Sequence, residues 1–361
     1  MTSYEDEIGK GFELLAGGEY EKSLEYFLRA IELDSSRSDA YSLASEAYVE
    51  IGELEKARKH SEKAYSIDKE KPEFALQYAS ILMALGDMKN SLTIVNDVLK
   101  NHDMVEAHYI KSNIYQNMGE PKKALIEAET AYKMDKNPEY ALNFCRILEE
   151  EGKIEESIKI LKELARADPE NLEALYMLFR DSLALNKVPD AFNYIMQCID
   201  VDKEQPAFYS DLASLLDELD DEKLAEKYYE KAVEISGDDA EPLMDLAEFY
   251  LDREKYDLAI ERIESAIALD DDEKEAYIIK GKVLESMDDF EKAAESFRKA
   301  QEIEEDEEAA LHEAICLYKL GKHDLSEQIF SNLQEKEFQD EIVNSYLDRI
   351  WWRKNRKKFK I

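Results

Sequence analysis

Glycine and proline are scarce, eleven and seven in 361 residues, and no strand alternation or hairpin signal of any length is present. The prolines (Pro72, Pro121, Pro138, Pro169, Pro189, Pro206 and Pro242) fall at expected turns or in first helical turns, where a missing N–H is tolerated, so no helix interior is interrupted. Apolar runs of about 18 residues are absent, which excludes a transmembrane helix. The acidic start, Met1 to Phe12, lacks the basic-then-apolar pattern of a signal peptide. The three cysteines show no CxxC spacing and are read as buried, reduced thiols, with the cytoplasm as the expected compartment.

Positive charge is also short. Lys and Arg number 47 against 84 Asp and Glu, a formal net charge of −37 that disfavours nucleic acid as a partner. No P-loop, GxGxxG, GxSxG or HExxH pattern occurs, and the five histidines (His60, His102, His108, His312, His323) are scattered. Carboxylates are so abundant that a pair of them is read as a solvated helix face. The acidic runs 270–273 and 304–308 lack the ligand alternation and glycine of a calcium loop. We expect no catalytic residues, no cofactor and no metal; the chain is read as non-enzymatic.

What is present is a beat. Positions 18, 52, 86, 119, 152, 186, 220, 254, 288 and 321 hold five glycines, then Asn, Asp, Glu, Asp and Gly, spaced by 34 residues or, three times, by 33. Such a period signals a solenoid of stacked supersecondary units. Each beat sits between two apolar-periodic segments, so each unit reads as two helices joined by a tight turn. Glycine suits a left-handed helix end, Asn and Asp tolerate it next best, and Glu254 fits worst.

Three further columns set the register. Five residues after the turn, all ten positions are Ala or Ser (Ser23, Ala57, Ser91, Ala124, Ser157, Ala191, Ala225, Ala259, Ala293, Ser326). Seven residues before it, nine of ten are small, among them Gly11, Cys145 and Gly281, with Phe179 the one break. Twelve residues after it, most are small again, including Cys198, with Leu164 an enlargement. Phe179 and Leu164 together are expected to widen or reorient the junction near them.

These columns resemble the tetratricopeptide repeat family, whose 34-residue unit carries small residues at its eighth, twentieth and twenty-seventh positions. Tyr48, Tyr115 and Tyr250 on first helices, Phe27, Tyr229, Phe297 and Phe330 on second helices, and Pro169 near a unit's end support the resemblance. The family's first-helix tryptophan is missing from every unit. The resemblance implies an all-α, right-handed superhelical solenoid whose first helices line a concave face. Its expected repeats lie near 4–37, 38–71, 72–104, 105–137, 138–171, 172–205, 206–239, 240–273, 274–306 and 307–335, in one array followed by a capping helix over 336–352 and a basic tail over 353–361.

Positions 2, 5, 6, 9, 12 and 13 of a repeat share one helical face, away from the small eighth position. Repeats three and four place Leu76, Gln77, Ser80, Met83, Tyr109, Asn113, Gln116 and Asn117 there; repeats five and six place Asn143, Arg146, Tyr176, Met177 and Arg180. Arg146 and Arg180 occupy the same position in successive repeats and suit a carboxylate. Their alternative is pairing with local carboxylates such as Glu149, Glu150 and Asp181. Repeats seven and eight present acids instead, Asp211, Asp217, Glu218, Asp245, Glu248 and Asp252, suited to a basic segment or simply solubilising.

The resemblance therefore implies a protein-binding scaffold, with an extended peptide or a partner helix as ligand. A second reading is a co-chaperone or regulatory module that captures acidic or C-terminal peptide tails. Asn113 and Asn143 match asparagine positions of the co-chaperone clamp, but Tyr109, Glu173 and Met177 stand where that clamp has Lys, Lys and Arg. Finally, Trp351, Trp352, Arg353, Lys354, Arg356, Lys357 and Lys358 break the acidic composition. This tail has three readings: a cap whose tryptophans cover the tenth repeat, a docking or autoinhibitory segment, or a contact with nucleic acid or a membrane surface. Oligomeric state is left open by the pattern.

Overall fold

The computed structural model describes residues 3–336, 338 and 341–356, and the described residues form twenty-one α-helices and no strand. The first five repeats contribute α1 (Tyr4–Ala16) with α2 (Tyr20–Leu33), α3 (Ser38–Glu50) with α4 (Leu54–Ile67), α5 (Pro72–Ala84) with α6 (Met88–Leu99), α7 (Val105–Asn117) with α8 (Pro121–Met134), and α9 (Pro138–Glu150) with α10 (Ile154–Ala167). The next five contribute α11 (Leu172–Ala184) with α12 (Val188–Val201), α13 (Pro206–Glu218) with α14 (Glu222–Ile235), α15 (Glu241–Asp252) with α16 (Tyr256–Leu269), α17 (Lys274–Ser286) with α18 (Phe290–Ile303), and α19 (Glu307–Lys319) with α20 (His323–Glu335). A last helix, α21 (Glu341–Asn355), follows. The chain divides into two compact units, Met1–Ala191 and Phe192–Ile361, and the division falls within the sixth repeat, the one interrupted by Phe179.

All ten beat residues have positive φ, from 54° at Asn186 to 84° at Gly52. The amide that follows each one donates to a carbonyl five residues earlier, as in Glu53 to Tyr48 at 2.9 Å and Lys255 to Tyr250 at 2.9 Å, which closes a Schellman-type helix end. Glu254 adopts this conformation at φ 57° despite its Cβ. Glu254→Gly is therefore expected to stabilise the second compact unit by about 0.5–1 kcal/mol, with Gly52→Glu lowering the first by a similar amount, both read from urea unfolding.

The small columns are the core. Every residue of the Ala/Ser column is fully buried. Its serines Ser91 and Ser326 donate to the carbonyls of Ala79 and Ala314 at 2.6 and 2.8 Å, tying the second helix to the first and satisfying a buried hydroxyl. Where the eighth position is glycine, the second helix carries a phenylalanine opposite: an added Cβ at Gly11 would lie 2.5 Å from the Phe27 ring, and one at Gly281 would lie 2.6 Å from Phe297. Cys145, Cys198 and Cys316 are unpaired and buried, and burial pushes each thiol up to about 12.

The last helix caps the second compact unit. Val343 and Ile350 are buried, while Tyr346 stacks on Phe330 (5.2 Å) and meets Tyr318 edge-on (4.9 Å). Arg353 and Lys354, expected in a free tail, lie on this helix: Arg353 meets His323 and covers the Tyr318 ring, and Lys354 pairs with Asp324 and Glu327. The reading of Trp351 and Trp352 as the covering residues needs correction, because both are about half exposed. Each residue turns a helix by about 100°, so once Ile350 faces the array the next two side chains swing away from it. Arg356 is exposed, and Lys357 and Lys358 lie outside the described residues.

Candidate peptide-binding face

Within the first compact unit, neighbouring first helices approach one another only locally, α3 with α5, α5 with α7, and α9 with α11. Polar side chains link them. Gln77 accepts from the Ser42 hydroxyl (2.8 Å) and donates to its carbonyl (3.0 Å); Asn143 donates to Ser112 (2.9 Å); Gln116 donates to Glu150 (2.6 Å); Arg146 donates to Glu173 (3.2 Å). Residues expected to offer hydrogen bonds to a ligand thus already serve neighbouring repeats.

Three expected ligand contacts are overturned by burial. Leu76, Asn143 and Met177 are only 5, 2 and 5 % exposed, so none can meet a partner without moving the helices. They occupy positions 5 and 6 of their repeats, which point toward the adjacent first helix rather than away from the stack. Gln77, Met83, Tyr109, Asn113, Gln116 and Tyr176 are partly buried. Tyr109 packs edge-on to Tyr140 at 5.3 Å, and desolvation raises its phenol above its usual range. Tyr176 packs against Phe179 with ring centroids 5.8 Å apart.

The ninth position remains outward. Arg146 and Arg180 are exposed there, one repeat apart. Arg146 pairs with a local carboxylate, as the alternative has it, although with Glu173 and not one of the three acids named; Arg180 makes no ion pair among the described residues.

The repeat pattern, its turns and its columns can now be set beside known proteins. Tetratricopeptide repeat profiles match residues 9–73, 105–138, 218–283 and 274–307. The chain belongs to the tetratricopeptide repeat family. A curated relative, the TPR repeat-containing protein YpiA of Bacillus subtilis, is 25% identical over 238 residues, covering 65% of this chain. The chain spans 56% of that relative's length. Among solved structures, PilW, a type IV pilus biogenesis factor, matches 57% of this chain and 96% of its own at 13% identity and TM-score 0.50. Yeast Tom70 matches 98% of this chain and 96% of its own at 14% identity and TM-score 0.47. The family profiles and the PilW match show the fold, a solenoid of tandem helix-turn-helix repeats. No helix among the described residues is long and apolar enough to cross a membrane.

One tetratricopeptide repeat departs from the others beneath the two arginines. The tenth position is apolar and buried in eight repeats (Ala47, Ile81, Ile114, Ile147, Leu215, Phe249, Val283, Cys316) and solvent-exposed in the first, at Glu13. In the sixth it is Asp181, only 3 % exposed. Its carboxylate lies 2.9 Å from the Ser157 hydroxyl, which also lies 3.1 Å from a Glu149 oxygen. Ser157 belongs to the Ala/Ser column, yet it meets two carboxyl groups instead of the carbonyl that Ser91 and Ser326 find. Desolvation, then the nearby Asp181 charge, pushes Glu149 up to about 7; desolvation likewise raises Asp181. Reading the groove as a surface missed this cluster, although an acid inside the array, in a column apolar at every position but this one and Glu13 of the first repeat, was a legible signal.

In the second compact unit the acidic first helices are partly compensated, since Asp217 pairs with Arg253. Asp245 and Glu248 form no ion pair among the described residues: desolvation raises both, opposed by the Ser210 hydroxyl at Asp245 and by the Lys282 charge at Glu248, and neighbouring acids (Asp239 for the first; Glu275, Asp245 and Asp252 for the second) add to the rise.

Proposed function

We propose that this tetratricopeptide repeat protein is a non-catalytic, cytoplasmic interaction scaffold that binds an extended peptide or a partner helix along its first helices. Arg146 and Arg180 receive an acidic or C-terminal carboxylate of that partner, with Tyr109 and Tyr176 as flanking aromatic contacts. The observation that carries this reading is Arg180: an exposed guanidinium without an ion pair, in a chain of net charge −37, one repeat from a second arginine at the same position. A guanidinium presents paired donors that match a carboxylate, and an incoming carboxylate can displace the single Glu173 contact of Arg146. The co-chaperone clamp is not proposed, because Asn143 is buried and bonded to Ser112.

Asp245 and Glu248, raised chiefly by desolvation and without an ion pair among the described residues, favour a second reading, a basic segment held at repeats seven and eight. For the first site the test is the double variant Arg146→Ala/Arg180→Ala. Its affinity for a peptide with an acidic, free C-terminus is expected to fall at least about tenfold by fluorescence anisotropy, given ~1.5–3 kcal/mol for a hydrogen bond to a charged group. Unchanged affinity would remove the site.

A further inference from the structure

Ser157 has one hydroxyl proton and two carboxyl oxygens within hydrogen-bond distance, Asp181 at 2.9 Å and Glu149 at 3.1 Å. It can donate to only one of them. The other contact is a hydrogen bond only if that carboxyl carries a proton and donates it to the serine oxygen, because an ionised carboxylate has no donor. With Ser157 fully buried and Asp181 nearly so, two bare carboxylates around one hydroxyl would leave a lone pair facing a negative charge in a desolvated setting. The geometry therefore favours one proton shared by the pair.

We propose that Glu149, Ser157 and Asp181 hold such a shared proton, and that its loss lowers the positive charge that Arg146 and Arg180 present to a partner's carboxylate. This rests on the groove reading above and adds its regulation. The charged groups around the cluster are few enough to follow. On its own helix, Glu149 feels Arg146 and lies beside Glu150, which is held by Gln116 of α7. Arg180 and Asp181 come from α11, where Glu173 pairs with Arg146. Ser157 comes from α10, with the Cys145 thiol 3.8 Å from its carbonyl. Both arginines pull the proton off, while burial and the second carboxylate hold it on.

Desolvation and then the second carboxylate win at Glu149, which is pushed up to about 7. Below that pH the arginines face one carboxylate of the pair; above it they face two. The sign follows directly: a partner's carboxylate binds more tightly in mildly acidic solution and more weakly in mildly alkaline solution. A unit charge about 8 Å from the partner's carboxylate, at an effective dielectric of about 40, between the protein-surface and bulk-water values, changes affinity on the order of fivefold.

The test uses the full chain and a rhodamine-labelled peptide ending in Asp-Glu with a free carboxylate, whose acids stay ionised from about pH 6 to about pH 8.5. Wild-type affinity is expected to fall about fivefold across that range. Glu149→Gln, a neutral copy of the protonated side chain, should bind at about pH 8.5 as the wild type does at about pH 6, with no pH dependence. In parallel, carbon NMR of labelled glutamate should show one carboxyl titrating near neutrality in the wild type and missing in Glu149→Gln. Binding that stays flat with pH, or the absence of that titration, overturns the shared proton and leaves the groove standing. Absence of binding at every pH removes the groove and this inference with it.

Discussion

Phe297→Ala should destabilise the second compact unit by about 3–5 kcal/mol, the range for deleting a fully buried aromatic ring. Adding Gly281→Leu should recover part of that loss, although Gly281→Leu alone should cost a further ~2–3 kcal/mol. The reasoning is spatial. Phe297 has no exposed surface and stacks on His312 at 5.2 Å, so its ring cannot retreat from a side chain built at Gly281, whose Cβ would lie 2.6 Å away. Helix propensity alone points the other way, since removing a helical glycine gains up to ~1 kcal/mol; the clash reverses the sign. Once the ring is gone, a leucine from the facing helix can fill the hole. Hydrogen exchange of α17 to α19 is the suitable readout, because a repeat array unfolds locally before it unfolds as a whole. If the double variant is no more stable than Phe297→Ala, the two positions are not filling one volume.

The same pairing at Gly11 and Phe27 indicates how the repeat accommodates variation. A small residue at the eighth position allows close approach of two backbones; the ring from the second helix occupies whatever space that approach leaves. Either column can be read alone from the sequence. Their exchange of volume becomes visible only when the two helices are placed side by side.

Much of the fold was legible for a related reason. The left-handed turn needs Gly, Asn or Asp at one position every 33 or 34 residues, and all ten residues of that column, including Glu254, have positive φ. Steric demands of this kind are local, so single residues report them. The ligand-facing surface was less legible. Positions 5 and 6 share a helical face with position 9, yet Leu76, Asn143 and Met177 are buried while Arg146 and Arg180 are exposed. Periodicity fixes which residues lie on one side of a helix but not how much of that side a neighbouring repeat covers. Asn143 looked like a ligand contact because it is polar, yet its amide donates to the Ser112 hydroxyl of the preceding repeat, which in turn donates to the Tyr109 carbonyl. The cap shows the same limit, since the period of α21 placed Ile350 correctly and could not say that Trp351 and Trp352 turn outward.

The cap also yields a large expected effect. Ile350→Asp should cost at least ~3 kcal/mol, because an unpaired carboxylate would replace a fully buried aliphatic side chain. The loss should be local. Ile350, Val343 and Tyr346 cover Phe330, Leu333 and Leu311 of the tenth repeat, and undocking α21 exposes that apolar surface to water. Terminal repeats need such a cover, so α19 and α20 should lose hydrogen-exchange protection while α13 and α14 keep theirs. Trp352→Ala is the discriminating control. With that ring about half exposed, its removal is expected to cost about 1 kcal/mol, roughly half of what full burial of a large apolar side chain is worth and well below the cost at Ile350. A cost at Trp352 equal to that at Ile350 would mean that the tryptophans, and not the aliphatic seam, hold the end of the array. Peptide affinity at Arg146 and Arg180 provides the second measurement: if the cap is structural only, Ile350→Asp leaves it unchanged, whereas a rise in affinity would mark the basic end of the chain as an inhibitor of its own binding face.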